Sequence, residues 1–526
     1  MSVHANARPR SLYGSRAAIA SGHHLATQAA GDVLRSGGTL ADALIAASAV
    51  LAVTLPHACS LGGCGMLLYF DAASGQVLGL NGSGRAPLQA QPAHFADGMP
   101  QRGVRAAVVP TLVRLWARLH ERFGRQSWAQ LLAPAITLAG EGVAVPEELA
   151  RNLRQNPAVN SGAGSLRQQP GFDALFMPQG RVLAAGDTLA QPQLARVLKT
   201  VAQQGEAGFF EGWVADALLA FSQRHGGFFS REDFARAQAD WVQPWSCRLG
   251  QTVAYAMPPN SVGALMLRQL EVWHAAGRAG EDSTGTAADI ENAVAVIRQG
   301  QRCIGDAGRT PITPEHIGLG SGALSLDSPV PHGVHPAKGD TAGFVAMDEN
   351  GNALAMLQSV FQPFGSGAVD GGDAGTTGIL LNNRMFDFSA ESGQANSVGA
   401  GLRPAHTLNP WLTMLNGQPH MTGVSPGGVS QTTTGFQLVR RAQSGTDTLG
   451  QIVSAPRWSL SRSGEILLEP GMPAELAQLL RARGFVVVEN SAHEFYFGSA
   501  KLLRRNPQGW LEAAADARRQ ATALAW

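Results

Sequence analysis

Thr341, Ser359 and the pair Gly427-Gly428 are the residues whose types and spacing could do chemistry together. Thr341 lies in the stretch GDTAGFVAMDENGNALAMLQSVFQPFGSG, Gly339 to Gly367. Apolar Phe344 to Met347 and apolar Ala353 to Leu357 flank Asp348-Glu349-Asn350-Gly351-Asn352. Asn-Gly between apolar runs predicts a β-hairpin. With the turn centred on Asn350, Asp348 faces Asn352 and Thr341 faces Ser359, so a second hydroxyl is expected beside that of Thr341. Gly339-Asp340 forms a flexible, polar junction. A cut between Asp340 and Thr341 would leave a threonine with a free α-amino group at a strand start. Its hydroxyl could act as nucleophile and its own amine, with a pKa of roughly 7.7–8.0, as base. Gly427-Gly428 precedes a predicted helix, Gln431 to Ala442, where adjacent backbone N–H groups can form an oxyanion hole. Taken singly, these pieces also fit an ordinary hairpin and a tight strand-to-helix turn.

The elements that must position these residues can be followed along the chain. Ser21 to Leu34 has helical periodicity and stops at Gly37-Gly38. Thr39-Leu40-Ala41-Asp42 predicts a capping box opening a more apolar helix to about Leu55. The glycine-rich turn Pro56 to Gly65 leads into strands Met66 to Phe70 and Val77 to Leu80. It lacks GxxxxGK[ST] and precedes a strand, so it is not a phosphate loop. From Val109 to about Gly280 the pattern is mainly helical, with strand returning at Asp240 to Trp245 and Val253 to Ala256. Ser261 is placed to cap a helix from Val262 to Trp273. Ala276 to Thr286 is a polar break, and Asp306 to Lys338 is expected to be an exposed linker ahead of Thr341. Trp411 to Leu415 is a strand, and the last hundred residues alternate strand and helix. Strands flanked by helices suggest layered αββα packing.

Composition narrows the function classes. The chain has 526 residues, 44% apolar and 15% charged, with a formal net charge of +1. That supports a large core and gives no basic surface for nucleic acid or membrane. Its longest apolar run, Ala43 to Leu55, is too short to span a bilayer, and no secretory h-region is evident, so a cytoplasmic protein is expected. Cys59, Cys64, Cys247 and Cys303 lack zinc-finger spacing and are expected as free buried thiols.

The chain resembles the γ-glutamyltranspeptidases, self-cleaving N-terminal-nucleophile hydrolases, over nearly its whole length. The resemblance is carried by LATQAAGDVLRSGGTLADALIAA, the Pro56-to-Gly65 turn, LLAPAITLAGEGVAV, SREDFARAQADWVQP, PPNSVGA, GILLNNRMFDFS, SPGGVSQTT and the end Ala515-Asp516-Ala517-Arg518-Arg519. It implies an α+β, four-layer αββα sandwich made from one self-cleaved precursor. The implied fragments are 1–340 and 341–526, paired as a heterodimer or a dimer of heterodimers. By the same resemblance, Thr341 matches the nucleophile, Ser359 a Thr that hydrogen-bonds it, and Gly427 and Gly428 the oxyanion pair. Asp387 matches an acid that holds the substrate amino group. No metal or organic cofactor is implied.

The departures bear on substrate. Glutamyl-specific members carry Arg-Glu-x-Ala-Pro, whose Arg binds the substrate α-carboxylate; here Ser83-Gly84-Arg85-Ala86-Pro87 stands in that place. A glutamate-holding Asn falls at Phe361, a Gln at Arg384, and a carboxylate-binding Ser-Ser pair at His406-Thr407. The glutamate clamp is thus largely replaced while the acyl-transfer apparatus is kept. Arg85, Arg384, His406 and Thr407 would instead supply donors for a smaller acidic amide, since Arg suits bidentate carboxylate binding. The resemblance extends to divergent cytoplasmic members that hydrolyse oxamate to oxalate and ammonia in purine-nitrogen recovery. Competing expectations are a γ-glutamyl hydrolase or transpeptidase, another amidase or acylase, and a non-catalytic binder of a small acid. Each pocket residue also has a simpler role open to it. Arg85 could pair with a surface acid, Arg384 with Asp387, and His406 could hydrogen-bond within its loop.

Overall fold

The computed structural model describes residues 10–160, 165–277, 285–309, 311–321, 340–371, 375–428, 430–461, 463–491 and 497–526. Part of the predicted linker (310 and 322–338), residue 339 after it, and part of the predicted break (278–284) lie outside the described residues.

Two seven-stranded antiparallel sheets form the centre. The first runs in the order Leu12–Gly14, Leu511–Ala515, Lys501–Arg505, Gln418–Val424, Trp411–Leu415, Thr252–Ala256, Trp245–Leu249. The second runs Thr522–Ala525, Ala17–Ser21, Asp340–Asp348, Ala353–Phe361, Cys64–Asp71, Gln76–Gly82, Asp240–Val242. Each sheet mixes strands from before residue 340 with strands after it.

Side-chain alternation along the central strand sets the layers. Phe344 and Ala346 point into a core shared with helices such as Leu40–Thr54 and Trp128–Glu141. Val345 and Met347 point the other way, into the core between the sheets with Leu412, Val424 and Leu503. On the far face of the first sheet, Trp411, Met421 and Leu502 pack against helices Gly263–Ala275 and Ser430–Ala442. The result is the expected four-layer αββα sandwich. The Leu40–Thr54 helix opens with the capping box read from Thr39 and Asp42 and is buried along its whole length. Asp42 also accepts from the backbone N–H groups of Arg125 and Gln126, which ties the helix start to a distant loop.

Candidate active site

The 340–361 hairpin forms in the register read from its turn. Met347 pairs with Ala353, and the pairing continues to Ala342 opposite Gln358. It then shifts, so that Asp340 pairs with Phe361, and Ser359-Val360 bulges opposite Thr341. This redirects Ser359. Its hydroxyl donates not to Thr341 but to the Asp340 carbonyl oxygen, at 2.6 Å. The Phe361 N–H donates to the same Ser359 oxygen at 2.7 Å. Thr341 Oγ1 is buried without a hydrogen-bond partner. The junction that follows the expected exposed linker is itself enclosed: Asp340 is 1% exposed and Thr341 4%. The acceptor, the hydroxyl and the bond between them therefore meet inside the sheet.

Gly63 shows why the glycine turn precedes the Cys64–Asp71 strand. A Cβ there would stand 2.6 Å from the Ser359 carbonyl oxygen. Gly63→Ala is expected to cost about 1–3 kcal/mol, as overpacking does, and to lower the urea midpoint of unfolding.

A buried charge cluster surrounds Asp340, and sequence reasoning missed it. One Asp340 carboxylate oxygen accepts from the Thr341 N–H at 2.9 Å and from the Arg519 guanidinium. The other lies 3.5 Å from His57 Nε2. Glu148 accepts from Arg519 at 3.1 Å and lies 3.9 Å from the same His57 nitrogen. Burial pushes the Glu148 carboxyl up, but Arg519 and His57 outweigh it and hold it below the usual carboxylate range. Lys501, enclosed nearby and donating to the Ser499 carbonyl at 2.9 Å, is lowered by burial to about 8. His57, Glu148 and Asp340 offer three atoms at metal-ligand spacing, within 4.8 Å of one another. The Arg519 guanidinium supplies the positive charge in that place, bonded to both carboxylates.

The proposed pocket residues divide. Arg384 is 1% exposed and lies 4.2 Å over the Phe361 ring, a cation–π contact. It donates to Asp387 at 2.8 Å and reaches the Thr407 hydroxyl at 3.4 Å, while its Nε has no partner. Burial pushes the Asp387 carboxyl up to about 6, against the pull of Arg384. Phe361 holds this place with φ 85°, a left-handed backbone that costs a non-glycine residue about 1–3 kcal/mol. His406 Nδ1 accepts from the Leu408 N–H at 3.3 Å, so Nε2 carries the proton and donates to Cys64 Sγ at 3.1 Å. Burial, with Arg384 and Arg403 adding to it, lowers the His406 imidazole well below its ordinary value. Cys64 in turn contacts the Ser359 carbonyl, at 3.7 Å. Arg384, Asp387, Thr407 and His406 are thus brought together beside Ser359. Arg85 is not among them. It is part-exposed and engaged by the buried Asp306 at 3.4 Å and the part-exposed Asp240 at 3.7 Å, so it pairs with acids as the sequence allowed, though the nearer one is not at the surface.

Gly427 and Gly428 follow the Gln418–Val424 strand, with φ 137° and 62° that favour glycine. Val424 packs against Gly343, two residues beyond Thr341, its Cγ2 2.7 Å from where a Cβ on Gly343 would stand. The carbonyls of Gly427 and Gly428 accept from Ser430 and Gln431 at the helix start. Neither glycine N–H donates to a described residue.

Comparisons with known proteins give the family. The model of the family described as Gamma-glutamyltranspeptidase matches residues 26–526. The glutathione hydrolase-like YwrD proenzyme of Bacillus subtilis is 28% identical, over 98% of this chain and 99% of that protein. The oxamate amidohydrolase proenzyme of Klebsiella pneumoniae is 30% identical, over 96% and 97%. Among solved structures, the cephalosporin acylase from Bacillus halodurans superposes with a TM-score of 0.88 at 26% identity, covering 100% of this chain and 98% of its own. Over nearly its whole length, then, the chain belongs to the γ-glutamyltranspeptidase family and is an amidohydrolase of the N-terminal-nucleophile fold.

Proposed function

We propose that the protein is a self-processing amidohydrolase whose nucleophile is Thr341 and whose substrate is the amide of a small acid, oxamate first among them. Two stages are involved. In the first, the Thr341 hydroxyl attacks the Asp340 carbonyl, polarised by Ser359. The C–O bond forms, the C–N bond breaks, and the hydroxyl proton ends on the Thr341 nitrogen. Water then hydrolyses the ester, giving fragments 1–340 and 341–526 that stay together as a heterodimer. In the second, the free amine accepts the Thr341 hydroxyl proton as that oxygen attacks the substrate amide. The Gly427 and Gly428 N–H groups take the oxyanion, ammonia leaves with a proton returned to it, and water releases the acid.

One observation favours a small acid. Asp387, expected to hold a substrate amino group in glutamyl-specific members, is already bonded to Arg384. An ammonium group there would compete with a buried guanidinium. Arg384 still has an unpartnered Nε to offer a carboxylate. The test is ammonia release from oxamate beside product release from a γ-glutamyl anilide. Oxamate turnover alone supports this function; anilide turnover alone would replace it with the glutathione hydrolase-like activity named for the Bacillus subtilis relative. Arg384→Gln is expected to lower kcat/KM for oxamate about 100-fold, the scale for truncating one partner of a buried charge pair.

A further inference from the structure

The cluster around Asp340 has no place in the substrate stage. Its members come from four separate segments. His57 lies in the turn after the Leu40–Thr54 helix, Glu148 in the first turn of Glu147–Gln155, and Asp340 at the head of the central strand. Arg519 lies between the last two strands. All four side chains are at most 5% exposed. Burying two carboxylates, a guanidinium and an imidazole carries a desolvation cost that hydrophobic residues of similar volume would avoid. The cluster is centred on the residue that precedes the bond to be cut.

We propose that Arg519, backed by Glu148 and with His57 packed alongside, clamps the Asp340 side chain and so fixes the Asp340 carbonyl for attack by Thr341. They are positioning residues for self-cleavage, and the inference rests on the self-processing reading above. Asp340 is fixed at both ends: its carboxylate by Arg519, its carbonyl by Ser359. Immediately after Asp340 the pairing slips register where Ser359-Val360 bulges on the partner strand, and Thr341 stands opposite that bulge with its hydroxyl unengaged. Its N–H is held by Asp340 itself. Loss of the carboxylate anchor would let the carbonyl rotate away from the Thr341 oxygen. Misplacement of a reacting group by about 1 Å is enough to slow a reaction about 100-fold.

The test follows cutting by intact mass at timed intervals after cell-free synthesis of the full chain. Arg519→Met is expected to slow cutting about 100-fold, with partial rescue in Arg519→Lys. Turnover per cut chain should fall at least tenfold less than the cutting rate, a split that general loss of structure would not give. Asp340→Ala removes the clamped group while leaving Arg519 paired with Glu148, and it decides the matter if Arg519→Met does not fold. It too should cut slowly. Wild-type cutting rates in Asp340→Ala, or equal losses of cutting and turnover in Arg519→Met, would overturn the clamp. Absence of any cut between 340 and 341 in the unaltered chain would instead overturn the self-processing reading on which it rests.

Discussion

Thr341→Ala is expected to remain a single chain of 526 residues and to turn over neither oxamate nor a γ-glutamyl anilide. The substitution removes a buried methyl and an oxygen that is buried without a partner, so the loss of folding energy is about 1 kcal/mol, that of the methyl. Its effect falls on chemistry twice. Without the hydroxyl the Asp340 carbonyl is not attacked, and without that attack no amine is freed to act as base. Intact mass and a thermal melt on one sample check this. A folded, uncut and inactive protein is the expected result, and two fragments from the variant would remove Thr341 from the role of nucleophile. Thr341→Ser keeps an oxygen in place and should still cut.

Ser359→Ala carries the second large effect. Its hydroxyl donates to the carbonyl that must gain negative charge during cutting, and the Phe361 N–H strengthens that donor from behind. Removal of a single oxyanion donor slows acyl transfer by roughly 10²–10³-fold, and the same loss is expected here in the cutting rate. The variant also leaves the buried Phe361 N–H unsatisfied, which lowers stability by about 1–3 kcal/mol. Ser359→Thr restores the oxygen and should recover most of the rate. Timed mass spectra of the three chains order them. Equal cutting in Ser359→Ala and the unaltered chain would show that the observed hydrogen bond does not reach the transition state.

Local signals made the hairpin legible. Asn350-Gly351 fixes the turn, and alternation then assigns each side chain to a layer without further help. The bulge opposite Thr341 was not legible, because the contacts around it are remote. Arg519 is 179 residues from Asp340 in the chain, and Cys64 is 295 from Ser359. No spacing in the sequence brings His57, Glu148 and Arg519 to one point. His57 stands inside the quoted glycine turn and Arg519 at the quoted C-terminal motif, so both motifs were seen while their charges were left unread. The Arg384–Asp387 pair was visible as two opposite charges three residues apart. Arg85 was read for its charge, but Asp240 and Asp306, which engage it, lie far along the chain. The strand Lys501–Arg505 is a similar case: its residues KLLRR carry no β alternation, and it is a strand because it pairs with Gln418–Val424 and Leu511–Ala515.

Under the proposed cut, the mixing of early and late strands within both sheets makes folding and refolding different reactions. The hairpin after residue 340 is hydrogen-bonded on one side to Ala17–Ser21 and on the other to Cys64–Asp71. Before the cut, these partners search for each other within one chain, a first-order process with only loop closure to overcome. After it, the same pairing would be an encounter between two molecules, and its rate would depend on concentration. A mature enzyme unfolded by urea should therefore regain activity poorly on dilution, while uncut Thr341→Ala recovers its fold at a rate independent of protein concentration. Its working lifetime would then be set by how slowly it opens rather than by how favourably it folds.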